Sequence, residues 1–406
     1  MIDSDQDAFR PVSDPAIDYN ILDGAYIENP LPTWDDLRRR CPIAHTERWG
    51  GSWLPTRYED VQALAKMVPA LSSRSSLVFD LPEELDSDLV TGPKGAAPLS
   101  SDPPEQTWTR KALLPHFTPK MAEAQRPFTT TVCADLIDSF IDDGRCDAAS
   151  QYSEQITPKV ITHMLGVNKD ATHELIEWVK MILNLGLEGT EWTEYWSLIR
   201  DFFASEIQDR RFNPQDDLIS KLTHTEVGGE AIPEEVVVGM CALQLVAGID
   251  TTWSVISSAI WHFAAHPEDQ QRIAADPSLW PTAIEELLRF YSPVTSGRNA
   301  TRTIEYNEVT FQSGDKVLLN FPAANHDPEV FENPQIFMLD RKENRHIAFG
   351  VGIHRCTGAN LARVEIEVAL KTWFERIPRF SLEHPDAVCW AGGGTRGPTR
   401  VPVIFG

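Results

Sequence analysis

One cysteine near the C-terminal end of the chain lies in a setting that could support metal chemistry. The segment reads Phe349-Gly350-Val351-Gly352-Ile353-His354-Arg355-Cys356-Thr357-Gly358, and an amphipathic helix is predicted directly after it, over 359–374. Glycines permit positive φ and let a backbone approach a flat ligand closely. A cysteine at a helix N-terminus faces unpaired N–H groups and the positive end of the helix dipole, which lower its pKa and favour the thiolate. Such a thiolate could be a nucleophile, a zinc ligand or an axial ligand to iron.

The zinc interpretation needs three more ligands at finger-like spacing, and beyond His354 and His346 nothing suitable is nearby. The full segment resembles the haem-binding loop of the cytochrome P450 family, whose signature is Phe-Gly-x-Gly-x-His-x-Cys-x-Gly. The resemblance implies that Cys356 is the axial ligand of the iron in haem b. It also implies cofactor contacts for other residues of the loop, namely Phe349, Gly350 and Gly358.

A second motif, Ala247-Gly248-Ile249-Asp250-Thr251-Thr252, lies inside a long helix predicted over 232–266. Pro233 near its start and Pro267 beyond its end are start and stop signals. An acid and two hydroxyls in so apolar a helix are costly unless hydrogen-bonded. They indicate either a site or a helix bend in which the hydroxyls bond back to carbonyls.

This motif is similar to the oxygen-activating helix of the same family. The resemblance implies that Thr251 hydrogen-bonds the activated oxygen and that Asp250 relays protons from solvent, with Thr252 as a further catalytic candidate. Ala247 and Gly248 would then lie against the haem.

Glu286 and Arg289 lie three residues apart on a helix predicted over 281–290, so their side chains share a face. Taken alone, they could be a surface ion pair. In the family, this Glu-x-x-Arg element is locked to an arginine ahead of the cysteine, and Arg341 matches that arginine. Met338 replaces the aspartate that is usual in the family, which puts one local hydrogen bond in doubt.

Further cofactor contacts follow from the resemblance. His354 and Arg298 match residues that bind haem propionates, and cationic donors are the expected partners of buried carboxylates. Arg110 matches a third such residue. Gln106 stands where the family commonly has a histidine, and it can donate one hydrogen bond.

The substrate pocket is predicted from two segments that lack charged residues. One is on the long helix and the other follows Arg289, and together they offer Leu243, Val246, Ala247, Val294, Thr295 and Ser296. A small or medium hydrophobic substrate, such as a terpenoid or an alkyl aromatic, is therefore expected. Trp192, Trp196 and Phe203 could form a roof or belong to the core.

The predicted fold class is mainly α with small appended β-sheets, because helical periodicity dominates over 119–291 and short runs separated by Gly and Pro follow. The resemblance covers nearly the whole chain and implies a single cytochrome P450 domain over 1–406, with haem between the long central helix and the Cys-loop helix. The helix-rich body would span about 105–291 and 359–375, and the small sheets about 45–75, 294–320 and 380–406. Residues 79–104 are predicted to form a long loop that acts as a lid.

Composition excludes several classes of function. A net charge of −24 would repel nucleic-acid phosphates and anionic lipids, so neither nucleic acid nor a membrane is an expected partner. The apolar run over 236–249 is shorter than the roughly 20 residues of a membrane span, which predicts a buried helix. Six scattered cysteines without a C-x-x-C pair, and the absence of a signal-like N-terminus, indicate a cytoplasmic protein.

The resemblance implies an oxidoreductase that activates O2 and performs C–H hydroxylation or oxidative dealkylation. The chain has no flavin fingerprint and no iron–sulfur cysteine array, so electrons, ultimately from NAD(P)H, must come through a ferredoxin or flavodoxin with its reductase. Such carriers are acidic, which predicts a basic docking patch of Arg110, Lys111, Arg355 and Arg363.

Two alternatives remain open at this point. A peroxygenase that uses H2O2 directly would lack the acid–alcohol pair that Asp250 and Thr251 form here. A non-catalytic haem protein, such as a gas sensor or ligand carrier, would be expected to bring a DNA-binding or signalling segment, and the sequence shows none.

Overall fold

The computed structural model describes residues 10–79, 93–183 and 189–406. The helices in this part of the chain are α1 Pro15–Asp18, α2 Gly24–Glu28, α3 Leu31–Arg40, α4 Tyr58–Ala65, α5 Pro93–Ala96, α6 Glu105–Leu113, α7 Pro119–Glu123, α8 Arg126–Asp138, α9 Glu154–Leu165, α10 Lys169–Leu183, α11 Gly189–Phe212, α12 Leu218–Thr223, α13 Glu234–Ala265, α14 Pro267–Ala275, α15 Trp280–Phe290, α16 Phe321–Ala324 and α17 Ala359–Arg376. The strands are β1 Ile43–Thr46, β2 Ser52–Pro55, β3 Leu71–Ser72, β4 Arg145–Asp147, β5 Glu226–Val227, β6 Glu230–Ala231, β7 Thr295–Ala300, β8 Ile304–Tyr306, β9 Val309–Phe311, β10 Lys316–Asn320, β11 Phe380–Leu382, β12 Cys389–Ala391, β13 Gly397–Arg400 and β14 Pro402–Phe405. The prediction of a mainly α fold with small sheets is confirmed.

The largest sheet has five strands in the order β1-β2-β10-β7-β3. Its pairs are antiparallel except β10 with β2, and the register of β10 with β7 sets Val317 opposite Arg298. A three-stranded sheet has the order β11-β14-β4, and the remaining strands form the pairs β12-β13, β5-β6 and β8-β9. Strand β13 of the hairpin β12-β13 contacts α13.

Three strands lie in the segment that the sequence predicts as helical. β4 is only three residues long, and its partner β14 lies more than two hundred residues further along the chain. The pair β5-β6 is a hairpin with two residues in each strand. Strands this short carry too little periodicity to be predicted from sequence, because tertiary pairing decides their conformation.

The central helix α13 begins and ends within two residues of its predicted limits. It packs against α5, α9, α11 and α17, and most of its side chains are buried. By length and composition the whole helix could span a membrane. Because 67% of its most apolar stretch is buried inside the protein, it is instead a core helix, as predicted.

The segment predicted to be a lid loop is only partly described. Residues 80–92 lie outside the described part, whereas α5 occupies residues 93–96 and packs on α13. Of the aromatic residues considered for a roof, Trp196 and Phe203 are buried in the main core. The side chain of Trp192 lies outside the described residues.

Candidate active site

The cysteine loop is closed by backbone hydrogen bonds and by two glycines with positive φ. The N–H of Cys356 donates to the carbonyl of Phe349 at 2.8 Å, and the N–H of Gly350 donates to Ile347 at 2.9 Å. Gly350 and Gly352 have φ of 69° and 71°, values that other residues adopt only with strain. The sequence therefore fixes a tight turn that ends on Cys356, two residues before α17 is capped by Gly358.

The Cys356 side chain is accessible. Burial raises the pKa of its thiol, and a hydrogen bond from Gly358 and the charges of three arginines, Arg110, Arg355 and Arg363, act in the opposite direction. The expectation that the helix terminus lowers this pKa was wrong, because desolvation outweighs the terminal hydrogen bond and the nearby charges. A coordinating metal ion deprotonates a thiol outright, so the raised pKa is compatible with an iron ligand.

The predicted Glu-x-x-Arg element is buried and is hydrogen-bonded to the segment that precedes the cysteine loop. Arg289 donates two hydrogen bonds of 2.8 Å to the Glu286 carboxylate, and Arg341 donates a third of 2.9 Å. The N–H of Met338 also donates to this carboxylate, at 3.0 Å. The replacement of the usual aspartate by methionine thus leaves a backbone hydrogen bond in place, and Glu286 is the centre of a saturated network.

Arg298, Arg110 and His354 lie close together beside the loop, and none of them forms an ion pair with a carboxylate among the described residues. The Nε of Arg298 and the Nε2 of His354 are buried and have no hydrogen-bond partner among the described residues. Burial lowers the pKa of Arg298 to about 10. Burial, together with the charges of Arg298 and Arg110, lowers the pKa of His354 to about 3. A cofactor that carries two carboxylates would satisfy these donors, so the residues present fit haem.

Two other residues with predicted cofactor contacts bond to the loop itself. Gln106 donates from Nε2 to the carbonyl of Ile353 at 2.7 Å, and Arg110 donates to the carbonyl of Arg355 at 2.6 Å. Both side chains therefore hold α6 against the cysteine loop. Haem contacts of Gln106 and Arg110 stay predictions.

The central helix presents an accessible face in the middle of its buried length. Ala247 is exposed and Thr251 is half-buried, while Ile249 and Thr252 are buried. Residues four apart share a helix face, so Ala247 and Thr251 lie above one another. The Thr251 hydroxyl donates to the carbonyl of Ala247 at 3.1 Å, as the alternative interpretation of the motif expects.

Gly248 makes room for a neighbouring helix. A Cβ added there would lie 3.2 Å from Ile161 of α9, which is tighter than ordinary contact. The glycine thus has a packing role in addition to the haem contact that the resemblance implies. α13 also packs on α17, the helix that follows Cys356.

The Asp250 carboxyl is engaged by two side chains that the sequence reading did not select. The indole of Trp253 donates to it at 2.7 Å, and the Thr395 side chain provides a second hydrogen bond. Burial raises the pKa of Asp250, and these two hydrogen bonds oppose the rise. The carboxyl is thus neither free nor bonded to Thr251.

The predicted pocket residues divide into two groups with different surroundings. On α13, Leu243 is buried and Val246 is half-buried. In the segment that leads into β7, Val294 and Ser296 are half-buried and Thr295 is buried. The Ser296 hydroxyl accepts a hydrogen bond from Arg298 at 3.0 Å, which ties this wall to the cationic group.

Several residues that shape the site gave no signal in the sequence. Glu285 binds Arg363 through two hydrogen bonds of 2.6 and 2.9 Å and binds His346 at 3.0 Å. The side chain of Asn325 accepts from the N–H of Ile347 at 2.8 Å. These partners are between 22 and 78 residues apart in the chain, so no local spacing could reveal them.

Comparisons with known proteins agree on one family. A sequence model described as "Cytochrome P450" matches residues 278–389. The chain is 31% identical over 380 residues to "Polyketide biosynthesis cytochrome P450 PksS" of Bacillus subtilis (strain 168), an alignment that covers 89% of this chain and 92% of that protein. It is 30% identical over 373 residues to "6-deoxyerythronolide B hydroxylase" of Saccharopolyspora erythraea, with 88% and 91% covered.

A solved structure shares the fold over the same length. P450BioI in complex with an acyl carrier protein that carries hexadec-9Z-enoic acid has a TM-score of 0.85 and 29% identity, and the match covers 94% of this chain and 99% of that chain. Sequence and structure therefore lead to one conclusion: this chain is a member of the cytochrome P450 family, the haem-dependent monooxygenases that use O2.

Proposed function

We propose that this monooxygenase holds haem b through the Cys356 thiolate and hydroxylates or oxidatively dealkylates a small or medium hydrophobic substrate. The observation that carries the proposal is the set of unpaired buried donors on Arg298 and His354 beside an accessible cysteine. Bound haem supplies the O2 chemistry, and thiolate ligation favours cleavage of the O–O bond. The protein supplies the ligand, the donors, a proton route and a water-poor pocket.

On the cysteine side, each residue has one task. Cys356 provides the sulfur, and Phe349, Gly350 and Gly358 shape the turn around it. Arg298 and His354 bind the carboxylates of the cofactor, with Arg110 as a third donor. A carboxylate next to His354 would reverse the burial effect on its pKa and favour its protonated form.

On the opposite side, the central helix handles substrate and protons. Ala247 and Gly248 would lie against the cofactor. The Thr251 hydroxyl can exchange its hydrogen bond to Ala247 for one to an oxygen atom in the cleft. Asp250 is the acid that passes protons from solvent toward that hydroxyl, and Thr252, which is buried, has the weaker case.

Substrate would contact Leu243, Val246 and Ala247 on the helix and Val294, Thr295 and Ser296 on the other wall. All six are uncharged, which supports a hydrophobic substrate. The names of relatives include a polyketide pathway and a macrolide precursor, so larger hydrophobic molecules belong in any search.

Electrons would come from NAD(P)H through a ferredoxin or flavodoxin with its reductase, in the cytoplasm. The docking surface we propose is the outer face of α6 and the cysteine loop, where Lys111 and Arg355 are exposed beside the apolar Leu114 and Ile353. Arg363 contributes less than predicted from sequence, because its charge is paired with Glu285. The partner would thus meet two exposed cations around a small apolar centre.

Carbon monoxide spectroscopy tests the ligand. The reduced protein with CO should show the red-shifted absorption of sulfur-ligated haem, and Cys356→Ser should lose it while Cys389→Ser, a change at another exposed cysteine, keeps it. An absorption that survives in Cys356→Ser would reject the assignment.

A ligand panel tests the substrate class. Camphor, n-propylbenzene, 6-deoxyerythronolide B and hexadec-9Z-enoic acid span the sizes in question, and binding is read from the spectral change that accompanies loss of water from ferric haem. Turnover with H2O2 alone, and none with O2 and an electron supply, would favour the peroxygenase alternative. Substrate-dependent NADH consumption would exclude the sensor.

A further inference from the structure

The acid of the central helix is held at the edge of a groove on the protein surface. The groove has a volume of about 170 Å3, and its lining includes Asp250, Trp253 and Thr395 together with an ion pair of Glu154 and Lys180 at 2.7 Å. Successive residues of an α-helix project about 100° apart. The Asp250 carboxyl and the Thr251 hydroxyl therefore lie on different sides of the helix.

Thr395 belongs to the turn of the hairpin β12-β13, and this turn is bonded to the predicted pocket wall. Val294 and Thr395 form an antiparallel bridge. The N–H of Thr295 donates to Gly394 at 2.9 Å, and the N–H of Arg396 donates to Pro293 at 2.8 Å. The backbone on either side of Thr395 is therefore fixed to the segment that leads into β7.

The same hairpin is pressed against the central helix one turn beyond Asp250. A Cβ added to Gly397 would lie 2.6 Å from the Cβ of Ser254, a distance that real contacts do not show. Arg396 anchors the other side of the turn, since its guanidinium donates to the backbone carbonyls of Ile27 at 2.7 Å and Glu28 at 2.9 Å. A displacement of the pocket wall would therefore be passed to Thr395, and through its side chain to Asp250.

We infer that Thr395 is a positioning residue, which holds the Asp250 carboxyl toward the groove and couples this hold to contact between a ligand and the wall formed by residues 294–296. This inference rests on the proposed function, in which Asp250 passes protons. The groove is the side on which the acid exchanges protons with solvent, and release from Thr395 allows the carboxyl to turn toward Thr251. The charged groups that share the groove with Asp250 are Glu154 and Lys180.

The hydrogen bonds to Asp250 predict the direction in which its pKa changes when a donor is removed. Trp253 and Thr395 stabilise the ionised carboxyl, so the loss of either donor raises the pKa of Asp250 further. Loss of one hydrogen bond to an ionised group corresponds to a shift of about one pH unit. A residue that only supports packing would change unfolding without changing this titration.

Infrared difference spectroscopy on the haem-loaded protein measures the titration directly. The band of the protonated carboxyl is assigned by its loss in Asp250→Asn. Its midpoint should rise by about one pH unit in Thr395→Val, which removes the donor at nearly constant volume. Thr395→Ser keeps a hydroxyl and should keep the parental midpoint, while Trp253→Phe should raise it.

The coupling is tested with 4-phenylimidazole, which ligates haem iron and fills the space above it. Saturation with this probe should change the acid dissociation constant of Asp250 by about fivefold in the parent protein, at the low end of coupling between sites. In Thr395→Val, 4-phenylimidazole should leave the acid dissociation constant of Asp250 unchanged. Val294→Ala, which shortens the bridged wall residue, should weaken the change without moving the midpoint of the unliganded protein.

An unmoved midpoint in Thr395→Val, or the lack of any band that Asp250→Asn removes, would overturn the positioning role. Equal effects of 4-phenylimidazole in parent and Thr395→Val would overturn the coupling. The CO absorption of the same samples separates these results from failure of the proposed function. Its absence in the parent would reject haem-thiolate ligation, whereas its presence with an unmoved midpoint rejects only the inference about Thr395.

Discussion

The two sides of the site are built in different ways. On the cysteine side, Glu286, Arg289 and Arg341 form a fully buried network in which both oxygens of one carboxylate are occupied by charged and backbone donors. On the central-helix side, Asp250 is held by one indole and one hydroxyl, and the Thr251 hydroxyl is bonded only to its own helix among the described contacts. The Glu286 carboxylate has all its hydrogen-bonding positions filled, whereas Asp250 and Thr251 have few hydrogen bonds.

The difference follows from the two tasks. A metal ligand must stay in one position, and a buried charge network with short hydrogen bonds gives it little freedom. A proton route must change partners during the reaction, so its groups need weak, exchangeable bonds. Mutations on the cysteine side should therefore mainly change the stability of the protein. Mutations on the central-helix side should mainly change proton transfer.

The largest effect is expected at Glu286. Glu286→Gln should destabilise the protein by about 3–5 kcal/mol, because it leaves two buried arginines without their carboxylate. The chain offers a matched control in Glu123 and Arg126, a pair with the same spacing on the surface. Glu123→Gln should cost less than about 1 kcal/mol. Urea unfolding of the haem-loaded protein measures the loss of unfolding free energy in both variants. Equal losses would contradict the contrast between buried and exposed pairs.

A smaller effect is expected where the cysteine side meets the cofactor. Arg298→Gln should weaken haem retention by about tenfold or more, because it removes a charged donor to a buried carboxylate. Arg302→Gln, a change at an exposed arginine shortly after β7, is the control and should have no effect. Transfer of haem to an excess of apomyoglobin gives the rate of loss. Identical rates for both variants would contradict the assignment of Arg298.

The neighbouring threonines of the central helix separate stability from proton transfer. Thr252→Ala removes a buried side chain and should cost about 1 kcal/mol of unfolding free energy. Thr251→Ala removes a half-buried hydroxyl, should change stability by less than about 0.5 kcal/mol, and should divert NADH oxidation toward H2O2 release. Urea unfolding and peroxide assays check the pair. If Thr252→Ala raises peroxide release and Thr251→Ala does not, then Thr252 and not Thr251 takes part in proton transfer.

The smallest effect is expected on the outer surface of the cysteine side. Lys111→Glu should slow reduction by an acidic ferredoxin a few-fold at low salt, and the difference should shrink as salt screens the charge. Arg39→Glu on α3, also exposed, is the control for net charge. Stopped-flow reduction under CO measures the rate. A salt-independent rate that is the same in Lys111→Glu as in the parent would remove α6 from the docking surface.

Sequence alone determined much of the cysteine side. The two glycines before Cys356 permit positive φ, and in the structure both Gly350 and Gly352 have it. Glu286 and Arg289 are on one helix face by their separation of three, and the limits of the central helix follow from Pro233 and Pro267. These features are local, because they depend on backbone conformation or helix geometry within a few residues.

Only the tertiary structure decided the rest. It showed that Asp250 bonds Trp253 and Thr395, that Glu285 neutralises Arg363, and that burial raises the pKa of Cys356. Thr395 lies 145 residues beyond Asp250 and reaches it because the C-terminal hairpin packs on the central helix. Desolvation and long-range hydrogen bonds depend on which surfaces the fold brings together, and no spacing within the sequence encodes that directly.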